Sequence, residues 1–190
     1  MVECFINKQG RIHMLNLIDG GEVIITSQKK LGYDIDDGVI TDALESVLIL
    51  STSHEPRWKY VNGFSDSLVM SYDDVINPED KYAYNSELAQ RVAQLVRRAE
   101  ENPNIKNIYS ACDGGQSRSA GIAAAIVRYL GGEDLGIWDS PHYKPNPLVY
   151  RLTCEAFGIE VTDEDITYLV EINEKTFDDA IAPKRTHANK

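Results

Sequence analysis

A chain of 190 residues, 43% hydrophobic and 26% charged, has enough material for one domain with a sizeable core. Its net charge of −11 argues against a broad nucleic-acid footprint, which would need a basic face. No apolar run approaches the ~18–20 residues of a membrane span. The opening "MVECFINKQG" carries an early acid and no signal-peptide core, so a cytoplasmic location is expected. Cys4, Cys112 and Cys154 fit neither a disulfide framework nor metal-ligand spacing, and His13, His54, His142 and His187 are scattered. No metal and no cofactor are therefore expected.

In chain order, a turn at Gly20-Gly21 precedes "EVIITS" (22–27), the first apolar run of strand length. "SVLILSTS" (46–53), "SLVMSY" (67–72) and "NIKNIYSA" (104–111) are three more, each with β-branched or aromatic residues. Helical periodicity appears over 85–101, with Leu88, Val92, Leu95, Val96 and Ala99 on one stripe, Asn85 or Ser86 as N-cap and Asn102-Pro103 as the stop. "SAGIAAAIVRYL" (119–130) is apolar nearly all round and ends at Gly131-Gly132, the pattern of a buried helix. Asn146, Pro147 and Gly158 frame a further helix. The last begins at Thr162, with Asp163 and Glu164 in its first turn, and runs to about Ala182. Residues 159–182 hold eight acids against Lys175 alone, most simply a solvated helix face. Residues 183–190 read as a frayed tail beyond a single domain of 1–182. Two long connections, 54–66 and 131–146, have the length of functional rims. The expected fold is α/β: a central mixed sheet of about four to five strands flanked by helices.

The stretch "ACDGGQSRSAG" (111–121) joins the fourth strand to the buried helix. Gly114 and Gly115 allow backbone N–H groups to converge on one point, and the helix start adds its unpaired donors and positive dipole end. Such a nest, formed by Asp113, Gly114, Gly115, Gln116, Ser117 and Arg118, suits a tetrahedral dianion. Arg118 can grip two of its oxygens bidentately. The same donors favour a thiolate on Cys112, and Ser119 can donate its hydroxyl to that sulfur. A Cys followed six positions later by Arg arises by chance in roughly one in five chains with three cysteines. Requiring the Gly at the fourth position and Ser or Thr after the Arg reduces this to a few per thousand. Neither Cys4 nor Cys154 meets the pattern.

Cys112-x5-Arg118-Ser119 with Gly115 inside resembles the signature of cysteine-dependent phosphatases, the protein tyrosine and dual-specificity superfamily. "YDDVINPED", the helix at 85–101 and "KPNPLVYRL" extend the likeness over about residues 46–158, toward small prokaryotic and phage-type members. The resemblance implies a phosphate-monoester hydrolase working through a phosphocysteine without a metal, on a phosphorylated protein or a small phosphoester. In the family the position after the cysteine, here Asp113, points outward. The family usually has His before the nucleophile, where this chain has Ala111.

By the same resemblance a leaving-group acid lies on the loop "MSYDDVINPED" (70–80). Asp74 is favoured, Asp73 is its close rival, and Asp80 in Pro78-Glu79-Asp80 reads as turn chemistry. Adjacent side chains of an extended segment diverge, so one aspartate can face the pocket while the other bonds the loop. Trp58, Trp138 and Tyr143 are pocket walls or packing anchors, and Cys154 reads as a core residue. Three further readings stay open: a non-catalytic phosphate-binding module, arsenate reduction and rhodanese-type sulfur transfer.

Overall fold

The computed structural model describes residues 5–6, 11–13, 21–56 and 58–181. Cys4, Gly20, Ala182 and the 183–190 tail with His187 lie outside the described residues. The four predicted strands are present as β3 (Glu22–Ser27), β4 (Ser46–Thr52), β5 (Asp66–Ser71) and β6 (Asn107–Cys112). They form a parallel core, and two short strands join antiparallel at the β3 edge: β1 (Phe5–Ile6) and β2 (Arg11–His13). The sheet order is β1-β2-β3-β6-β4-β5, so β6 is inserted between β3 and β4. A strand in that position is buried on both faces and reads as a near-continuous apolar run.

Helices cover the two faces: α1 (Gln28–Asp36), α2 (Trp58–Val61), α3 (Ser86–Glu101), α4 (Arg118–Tyr129), α5 (Leu135–Trp138), α6 (Pro147–Phe157) and α7 (Asp163–Ile181). The period-2 alternation of the strands divides the core in two. Val23, Ile25, Val47, Ile49, Met70 and Ile108 pack under α3, α4 and α6. Ile24, Leu48, Leu50, Tyr109 and Ala111 face the other way, toward Leu31 of α1 and toward Val61 and Phe64. Asn85 caps α3, its side chain accepting from the Leu88 N–H at 3.0 Å. Cys154 is wholly buried in the first core, and burial pushes its thiol up to about 12. Among the described residues no helix is long and apolar enough to cross a membrane.

The sequence missed β1, β2 and α1. It also took the two long connections as irregular, whereas each contains a one-turn helix, α2 and α5. Trp138 and Tyr143 prove to be packing anchors: both are buried in the main core, and Trp138 meets the Tyr150 ring edge-on at 5.3 Å. Trp58 lies on α2. The acidic α7 is more than a solvated face. Its buried Asn173 donates to the carbonyls of Trp138 at 2.7 Å and Tyr143 at 2.9 Å, fastening the 131–146 connection to the body.

At Gly121 two helices meet closely. A Cβ there would sit 2.8 Å from the Asn146 carbonyl oxygen and 3.3 Å from Val149 Cβ. Alanine is favoured over glycine inside a helix by about 1 kcal/mol, but overpacking costs about 1–3 kcal/mol, so the clash wins. Gly121→Ala is expected to lower the melting temperature by a few degrees, read by thermal unfolding. An unchanged or higher value would mean that α6 gives way freely.

Candidate active site

All four parallel strands point their carboxyl ends to one edge, and β6 delivers Cys112 at the middle of it. Cys112 lies in register with Ser27 of β3 on one side and Ser51 of β4 on the other. Open parallel sheets bind ligands at this edge, where the strand order switches. The expected loop occupies it. Cys112, 2% exposed, accepts a hydrogen bond from the Gly115 N–H at 3.1 Å, and the Ser119 hydroxyl lies 3.1 Å from the same sulfur.

The loop's shape follows from its glycine and its neighbours. Gly115 has φ +72°, and a Cβ on it would stand 2.6 Å from the Ser27 backbone nitrogen, so both conformation and space require glycine. On the far side, Lys144 N–H donates to the Gln116 carbonyl at 3.0 Å and Asn146 N–H to the Ser117 carbonyl at 3.2 Å. In a planar trans peptide, C=O and the next N–H point oppositely. These two bonds therefore aim the N–H groups of Ser117 and Arg118 away from the 144–146 segment.

Arg118 is 5% exposed, and a buried guanidinium must be paired. Its Nη1 donates to the Ser53 hydroxyl at 3.0 Å and to the Tyr72 carbonyl at 2.9 Å. Its Nη2 donates to Asp113 at 2.7 Å. Nε is buried and has no partner. Arginine has five N–H donors, so an Nε–H and one Nη2 N–H stay uncommitted. Burial opposes the charge, but Asp113, Cys112 and Asp74 outweigh it and raise the guanidinium's pKa further.

Asp113 corrects the expectation of an outward position. Its carboxylate turns in to Arg118 and also accepts from the Thr52 hydroxyl at 2.9 Å, the Ser53 N–H at 3.1 Å and Gln28 Nε2 at 3.4 Å. Those donors come from the end of β4 and the start of α1, which explains why the side chain turns inward and is half-buried. Burial alone would raise this carboxyl, yet the Ser53 N–H, Arg118 and Thr52 together hold it below the usual carboxylate range.

The two aspartates of the 70–80 loop diverge. Asp74 Oδ1 accepts from the Ser117 hydroxyl at 2.8 Å and from Asn146 Nδ2 at 2.8 Å, so its carboxylate is tied to the Cys112 loop. Asp73 lines a cavity of about 230 Å³ with Ser53, Ser71, Tyr72 and Tyr82. Asp80 is exposed, with its N–H on the Asn77 carbonyl at 3.2 Å. A larger cavity, about 410 Å³, lies at the opposite edge of the sheet by Val47, Asp66 and Arg98 and contains none of these residues.

Three participants were missed. Ser53 and Tyr72 each directly follow a parallel strand, and that position was the available signal. Asn146, 2% exposed, was read only as a helix cap. It caps α6 through Oδ1, accepting from Leu148 and Val149 N–H, while its Nδ2 holds Asp74 and the Val75 carbonyl.

The chain is thus an α/β protein with a parallel four-stranded core and a Cys-x5-Arg loop at the carboxyl end of its central strand. Among solved structures it is similar to "Crystal Structure of PTPMT1 in complex with PI(5)P", at 14% identity and a TM-score of 0.48, over 77% of this chain and 92% of that one. It is also similar to "Crystal Structure of PTPMT1", at 13% identity and a TM-score of 0.46 with the same coverage. No protein-family model matches the chain, and no curated protein sequence matches it.

Because the folded pKa of Asp113 is depressed, its stabilisation is full above the unfolded value near 3.9 and is lost as pH falls through the folded value. Melting temperatures of the wild type and Asp113→Asn should differ by a constant amount above about pH 5 and converge below about pH 4. A gap that persists in acid would show that the carboxylate's charge is not what matters.

Proposed function

We propose that the protein is a phosphate-monoester hydrolase of the tyrosine or dual-specificity type, acting through a phosphocysteine. The observation that carries this reading is the Arg118 edge: a buried guanidinium with an unpartnered Nε, beside a buried thiol already holding two hydrogen bonds. A buried donor without an acceptor is costly, and a phosphoryl oxygen would supply the missing partner.

In the first step Cys112, reacting as the thiolate, attacks phosphorus in line. The P–O bond to the leaving group breaks as an S–P bond forms. Asp74 delivers its proton to the departing oxygen from Oδ2, since Oδ1 is occupied by Ser117 and Asn146. In the second step the Asp74 carboxylate takes a proton from water, whose oxygen attacks phosphorus and breaks the S–P bond. Phosphate leaves, and the thiolate is recovered with the Ser119 hydroxyl as its hydrogen-bond partner. Arg118 and the loop N–H groups over 113–118 hold the equatorial oxygens throughout. Asp73, on the cavity wall, faces the leaving group's remainder instead. The substrate is a phosphorylated protein or a small phosphoester, met in the cytoplasm.

The test is hydrolysis of para-nitrophenyl phosphate and of an alkyl phosphate. Cys112→Ser should abolish both activities. Asp74→Asn should lower kcat on the alkyl ester by about 10²–10⁴-fold, the usual contribution of a general acid, and Asp73→Asn by far less. The reverse order would move the acid to Asp73. Binding of phosphate by a wild type that turns over no phosphoester would make the protein a non-catalytic phosphate-binding module.

A further inference from the structure

Beside the candidate active site lies an open apolar groove of about 240 Å³, walled by Ile76, Pro78, Pro147, Leu148, Arg151 and Ile166. Its walls come from three elements: the loop carrying Asp74, the start of α6 and the start of α7. Ile76 is 68% exposed, one of six large apolar or aromatic side chains left in water among the described residues, and of these six it is the one that walls the groove.

The groove is continuous with the catalytic constellation. Asn146 holds the Asp74 carboxylate and the Val75 carbonyl, and the next residue on each side, Pro147 and Ile76, is a groove wall. A group seated here therefore meets the chain neighbours of the asparagine that holds Asp74. The volume falls below the ~300–1,000 Å³ of small-molecule sites and suits one large apolar side chain.

The surroundings select the neighbours of that side chain. Arg151, the groove's cation, is neutralised by Asp163 at 2.5 Å. Glu164 follows on the same exposed helix turn, and Glu79, Asp80 and Lys81, all exposed, follow Pro78, leaving the acids in excess. An apolar slot with an acidic rim favours a ligand whose apolar residue is flanked by positive charge.

We propose that this groove is a substrate-docking subsite that receives an apolar side chain, flanked by Lys or Arg, of a phosphorylated polypeptide. The proposal rests on the phosphatase reading and adds to it the class of substrate. Neither the Cys-x5-Arg loop nor the acid loop by itself distinguishes a polypeptide from a small phosphoester; the groove does.

The experiment measures kcat/KM on phosphotyrosine peptides in a lysine-containing background. Leu is scanned over the four positions on either side of the phosphotyrosine, with Gly as the reference at each. The wild type should prefer Leu at one position by about tenfold, the order expected for burying one such side chain. Ile76→Asp and Leu148→Asp should each bring that ratio toward one. Taken within each variant, the ratio is insensitive to a change in overall activity. Replacing the flanking Lys by Glu should lower kcat/KM severalfold, less so at high salt.

Peptides turned over with no preference at any position would overturn the docking proposal alone, as would a preference that survives both variants. Faster turnover of dodecyl phosphate than of the best peptide would overturn it in favour of a lipid occupant. No hydrolysis of para-nitrophenyl phosphate or of any peptide would overturn the phosphatase reading and the docking proposal together.

Discussion

A positive charge taken out of water at Arg118 organises the carboxyl edge of the sheet. Desolvating a guanidinium is expensive, and the cost is offset here by acceptors drawn from three segments. Ser53 follows β4, Tyr72 follows β5, and Asp113 belongs to the arginine's own loop. Each contact ties a strand end to the first residue of α4. The position of the 70–80 loop is thereby linked to the Cys112 loop through Tyr72 as well as through Asp74. The Asp113 carboxylate reaches further, to Thr52 and Gln28, so the turns after β3 and β4 close on the same ion pair.

This arrangement makes the site's charge balance tight. One cation faces Asp113, Asp74 and the candidate nucleophile within a chain of net charge −11. Such a centre depends on directed N–H groups rather than on an excess of positive side chains. That is why the carbonyl-to-amide bonds from 144 and 146 matter: they set which way the loop's peptide dipoles face.

The parts legible in the sequence were those whose cause is local. β3, β4 and β6 announce themselves as short apolar runs because both faces are largely buried, while β5 at the edge is only partly covered. The Cys112 loop is readable because its glycines, small residues and arginine lie within a few positions of one another. Helix α1 was hidden because Gly32 sits inside it; a Cβ there would stand 2.9 Å from the Tyr60 ring, a tertiary reason no local pattern carries. The inward turn of Asp113 is decided by Thr52 and Ser53, about sixty positions away in the chain. Likewise, Asn146 and Asp74 meet across 72 positions. The choice between wall and anchor for Trp138 and Tyr143 also waited on the packing of α7.

That last helix has a consequence in time. Asn173 grips the backbone of the 138–143 stretch, whose continuation at 144–146 aligns the peptide units of the 112–118 loop. A ribosome releases that loop some sixty positions before this brace, and domains generally fold as units. The nascent chain therefore carries Cys112 for seconds in an unbuttressed turn. Only once Asn173 has been added can that turn acquire its brace.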